Sequence, residues 1–133
     1  GQRFNWEAML WHEFCHVITL QVSRNKMPRW LSEGISVYEE RQANPAWGER
    51  LVPRYREMIL EGELAPVSKL SAAFLAPKSA VHLQFAYYES SLIVQFLAER
   101  YGFKDIDGRA PRTIMRVEQL RRERGSIAPL AYD

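Results

Sequence analysis

Two of the three histidines in this chain stand four residues apart, in WHEFCHVITLQ at 11–21, with a glutamate beside the first. Side chains four apart on a helix lie one above the other on a single face. His12 and His16 can therefore turn two imidazoles to one point, the geometry that holds a zinc ion. Glu13 lies one residue round from His12. It is poorly placed to join the same ion but able to reach a water there, as a general base must. H-E-x-x-H also arises by chance in roughly one in a few hundred domains of this length. Two histidines on a mostly apolar helix can also be core residues bonded to backbone carbonyls.

A third ligand decides between these readings, because catalytic zinc usually takes three protein ligands and keeps one position open. Seventeen residues after His16 comes Glu33, inside PRWLSEGISVYEE. Trp30, Leu31, Ile35, Val37 and Tyr38 surround it with apolar groups that suit packing against the first helix. A carboxylate buried among them without a partner would be costly, and a zinc ion removes that cost. Gly34 beside it lets the two helices approach closely.

Helical periodicity dominates the elements that must position these residues. Asn5 can cap a first helix running to about Val22, with a wide apolar face of Trp6, Met9, Leu10, Phe14, Val17, Ile18 and Leu20. SRNKMP at 23–28 is a loop, and Pro28 suits the start of a second helix, from about Arg29 to Arg41. A third helix covers Glu49 to Leu60, with Pro53 in its first turn. Residues 63–79, with Pro66, Pro77 and several serines, read as an irregular connection. A long fourth helix spans about Val81 to Tyr101 and stops at Gly102. A last, amphipathic helix runs from about Pro111 to Arg124, with Ile114, Val117 and Leu120 set against arginines. No β-strand is convincing, so the fold class is mainly α.

The 133 residues suit one domain over 1–133, and 47% hydrophobic content argues against disorder. A net charge of +2 selects no class of partner. The arginines gathered after residue 103 read as a solvated helix face, and no nucleic acid is expected as a partner. No apolar run of about 18 residues exists to cross a membrane, and no signal peptide is evident. The HExxH helix comes almost at residue 1, which reads as a piece of something longer. Cys15 is the single cysteine, so no internal disulfide can form. It reads as a small buried apolar residue, not a ligand.

HEFCH followed by PRWLSEG resembles the gluzincin metallopeptidases, and more narrowly the bacterial peptidase MA-like domains, whose second motif reads W-L-x-E-G-x-A-x-Y. WLSEGISVY at 30–38 follows it, with Ser36 where alanine is common. The resemblance implies a zincin-like helical core. His12, His16 and Glu33 would be its zinc ligands, Glu13 its general base, and a peptide or protein its substrate. FAYYESSLIVQFLAERYG at 85–102 is similar to the family's later helix, A-Y-x-x-S then apolar residues and Y-G. Tyr87 matches the family's tyrosine, a donor to the oxyanion of amide hydrolysis. Other gluzincins use a histidine for that task, which would make His82 the alternative. Both tyrosines, 87 and 88, can also be core residues with satisfied hydroxyls.

Three departures follow from the same comparison. Gluzincins often place an acidic residue four positions after the glutamate ligand, to orient a histidine; here it is Val37. Glu39, Glu40, Glu7 and Ser36 are the candidates to replace it. The N-terminal β-sheet that carries substrate in the family has no room in this chain. Residues 103–133 diverge from the family pattern, so the likeness covers about 5–102. Family members often sit in larger proteins beside helical repeats and outside the bacterial cytoplasm. Two other readings stay open: a metal-holding but inactive scaffold, and a metal-free helical domain whose basic end binds an acidic partner.

Overall fold

A computed structural model describes residues 5–102 and residue 123 as helices and connecting turns, with no strand among them. The helix expected over 111–124 and the divergent tail lie outside the described residues, residue 123 apart.

Helix α1 runs Trp6–Ser23. Asn5 Oδ1 accepts the Ala8 N–H at 3.1 Å, taking one of the free donors of the first turn. The chain leaves α1 through Arg24 and Asn25, both at positive φ (52° and 60°). Helix α2, Arg29–Ala43, begins after the extended Pro28. Helix α3 is Pro53–Leu60, with the proline at its start. It does not begin at Glu49, because Gly48 turns the chain at φ 73° and Val52 stays extended.

The connection expected over 63–79 contains a helix, α4, Val67–Leu75. Pro66 stands just before it, as Pro28 stands before α2, where a missing N–H loses nothing. Leu70 and Phe74, four apart, bury one face, and that contact outweighs the turn signal of the flanking prolines and serines. Helix α5, Ala80–Tyr101, is capped by Ser79 Oγ on the His82 N–H and ends at Gly102, φ 62°.

Helix α2 is the centre of the molecule and packs against both α1 and α5, while α4 covers α5 and the start of α2. Ser32 through Glu40 are all buried. Ile35 and Tyr38 meet Val94 of α5. Tyr55 and Met58 of α3 meet Phe85 and Tyr88. Each such side chain taken fully out of water contributes about 1.5–3 kcal/mol.

Two expectations about α1 change. Its buried face is Trp11, Cys15, Ile18 and Thr19. The expected apolar face is mostly exposed: Trp6 is 57%, Leu10 53% and Val17 52% accessible, and Met9, Phe14 and Leu20 are exposed as well. Among the described residues no element packs there; α2 takes the side that carries the histidines and Cys15. Gly34, expected to bring α1 and α2 together, instead admits α5. A Cβ on it would stand 2.6 Å from the Ser90 carbonyl oxygen.

Candidate metal centre

α1 and α2 bring His12, His16 and Glu33 together. His12 Nε2 and His16 Nε2 are 3.0 Å apart. Glu33 Oε2 lies 3.1 Å from the first and 2.9 Å from the second. Three donors on a tetrahedral zinc, each about 2.0–2.1 Å from it, stand about 3.3 Å apart. The observed spacing is close to that, so these residues fit a zinc ion as a group.

The other ring nitrogens are also engaged. Glu40 Oε1 bonds His12 Nδ1, and Ser32 Oγ is 2.8 Å from His16 Nδ1. With both Nδ1 atoms held, both Nε2 atoms face Glu33. Glu40 therefore takes the orienting role left open by Val37. It stands seven residues after Glu33, two helical turns along the same face. Ser36, another candidate, has its Oγ buried with no hydrogen-bond partner among the described residues. Glu40→Ala is expected to weaken zinc binding about 10–100-fold, measured by competition with a chelator. An unchanged affinity would remove Glu40 from the site.

Burial opposes charge on His12, but its bonds to Glu33 and Glu40 outweigh this and raise its pKa from 6.5 to about 9. Burial opposes charge on Glu33 as well, and the bonds from His12 and His16 prevail, lowering its pKa from 4.5 to about 2. In metal-free protein both groups stabilise the fold fully between pH 4.5 and 6.5. The His12 contribution is lost as pH rises through about 9, and that of Glu33 as pH falls through about 2. Metal must displace the His12 proton. Zinc affinity is therefore expected to rise by about a factor of ten per pH unit from neutrality, levelling off above about 9. Chelator competition across that range checks the slope.

Glu13 is exposed and does not belong to the converging donors. Trp6, Met9, Leu10, Val17 and Leu20 all lie within about 60° of it around the helix, so it sits inside the exposed apolar stripe. Tyr87 reaches the site from α5: its ring is 6.1 Å from that of His12. Burial raises the Tyr87 pKa, and the charges of Glu33 and Glu13 raise it further, against Arg29. Tyr88 points elsewhere and stacks on Tyr55 at 5.2 Å.

Arg29, which the sequence did not single out, completes the rim. Its Nε is 3.6 Å from Glu33 Oε1, its guanidinium lies over Phe74 at 5.8 Å, and its charge opposes the rise of the Tyr87 pKa. Its position four residues before Glu33 was the available signal. His82, the alternative donor, is occupied away from the three ligands. Its Nε2 is 2.7 Å from Glu63 Oε2 and its Nδ1 2.8 Å from Ser79 Oγ. Cys15 is fully buried, and burial, with Glu39 and Glu40 nearby, pushes its thiol pKa up, so it remains a neutral core residue.

Comparison with known families matches residues 2–108 to the model described as Peptidase MA superfamily. No curated protein and no solved structure matches the chain.

Proposed function

The chain belongs to the Peptidase MA superfamily, and from that premise we propose that it is the helical core of a zinc-dependent peptidase of the gluzincin type. The observation that carries this is the meeting of three ligand atoms, from His12, His16 and Glu33, within 4.8 Å of one another. Zinc, when bound, supplies a Lewis acid that lowers the pKa of a water. Glu13 accepts the proton of the attacking water and delivers it to the leaving amine. Tyr87 donates to the carbonyl oxygen as that atom gains negative charge. Glu40 and Ser32 keep the two imidazoles turned inward.

Among the described residues no helix is long and apolar enough to cross a membrane. The substrate is a peptide or protein in this reading. A metal-holding module without turnover is the second reading. The exposed apolar stripe around Glu13 favours it, since a partner packed there would cover the base.

Metal content decides first. Purified protein is expected to hold about one zinc per chain by elemental mass spectrometry, and His16→Ala to lose it. Peptide cleavage that stops with a chelator and returns with zinc supports the enzyme. Zinc without cleavage favours the second reading, and a folded wild type without zinc rejects both.

A further inference from the structure

Thr19 lies one turn beyond His16 and is fully buried. Its Oγ1 is 3.1 Å from the His16 carbonyl oxygen and 2.8 Å from Ser32 Oγ. Ser32 Oγ is in turn 2.8 Å from His16 Nδ1. A hydroxyl has one hydrogen to give and can accept twice, whereas a carbonyl can only accept. The Thr19 hydrogen therefore goes to the His16 carbonyl. Ser32 then donates its own hydrogen to Thr19 Oγ1. With that hydrogen used, Ser32 can only accept from His16, whose ring must carry its proton on Nδ1. Of the two neutral tautomers, only this one satisfies all three contacts. In the neutral ring that a metal ion requires, the lone pair of His16 is thereby left on Nε2, the atom 2.9 Å from Glu33 Oε2.

We propose that Thr19 is a positioning residue which, acting through Ser32, holds His16 in the tautomer whose Nε2 can bind a metal ion. Thr19 touches neither the ion position nor the other two ligands; it acts by direction of hydrogen bonding alone. Removing its hydroxyl takes away the acceptor for Ser32. The Ser32 hydrogen then turns to His16 Nδ1 and favours the opposite tautomer, with the proton on Nε2 where the metal must go. Loss of a group that orients a metal-bound histidine weakens metal binding about 10–100-fold.

The inference rests on the metal reading, and zinc alone is the probe. Thr19→Val keeps shape and volume without the hydroxyl and is expected to weaken zinc binding about tenfold, the lower end of that range. Thr19→Ser keeps the hydroxyl and is expected to return affinity close to that of the wild type. Ser32→Ala is expected to lose at least as much as Thr19→Val. The double variant should lose no more than Ser32→Ala alone if Thr19 acts through Ser32 and not through its bond to the His16 carbonyl. Thermal melting of each metal-free variant separates lost packing from lost affinity, and Thr19→Ala replaces Thr19→Val if the valine does not fold.

Wild-type affinity in Thr19→Val, a Thr19→Ser variant as weak as Thr19→Val, or losses that multiply in the double variant would each overturn the proposal. A wild type that takes up no zinc shows the different failure, of the metal reading itself, and takes this inference with it.

Discussion

Glu13→Gln is expected to lower the rate of peptide hydrolysis by about 10²–10⁴-fold, the range a positioned general base contributes, while zinc stays bound at one per chain. The two halves of this expectation have separate causes. Glutamine matches glutamate in size and keeps a hydrogen-bonding group, but it cannot take up a proton at neutral pH. The zinc donors come from His12, His16 and Glu33, and Glu13 is not among them. Its exposed position also means that the exchange leaves stability nearly untouched, as surface substitutions usually do within about 0.5 kcal/mol. Cleavage rate and zinc content are measured on the same preparation. A variant that still cleaves would move the base to another residue. A variant that loses zinc would place Glu13 among the ligands.

What the sequence disclosed about the site was the part written in local spacing. His12 and His16, four apart on one helix, had to share a face, and Glu33 stood out as a carboxylate among apolar neighbours. The residues that orient the histidines were not readable in this way. Glu40 and Ser32 reach them across the packing of α2 on α1, and that register depends on tertiary contacts. Glu40 was only one of four candidates, although its place two turns after Glu33 fits the face. The Thr19 contact to Ser32 spans the α1–α2 turn and has no sequence signature at all.

The fold shows the same division. Caps at Asn5 and Ser79 and the stop at Gly102 bound the helices near where periodicity placed them. Helix α4 was missed because nine residues with two serines, bracketed by prolines, carry a weak helical signal. Its existence rests on burying Leu70 and Phe74, which only the neighbouring helices supply. On α1 the pattern misled in the other direction. An apolar stripe implies something to cover it, but not that the described helices do so, and the face packed on α2 includes Cys15 and Thr19.

Gly34→Ala is expected to destabilise the protein by about 2 kcal/mol, within the range for forcing extra volume into a packed contact. Two effects compete. Alanine favours a helix interior over glycine by about 1 kcal/mol, so the exchange would stabilise an isolated α2. Against this, the new Cβ would meet the Ser90 carbonyl oxygen at 2.6 Å, its carbon at 2.8 Å and Val94 Cγ2 at 3.0 Å. The first two are backbone atoms of α5 and cannot swing aside, so the helices themselves must part. The steric term therefore decides the sign. A net loss of about 2 kcal/mol lowers the melting temperature by about 7 °C in a domain of this size. Displacement of α2 also carries Glu33, the adjacent residue, away from His12 and His16, so zinc affinity should fall in the same variant. The two motifs, WLSEG at 30–34 and AYYES at 86–90, are thus joined physically: the glycine ending one admits the backbone of the serine ending the other. A melting temperature at or above that of the wild type would show that α5 can yield, and that the close approach is not what holds Glu33 in place.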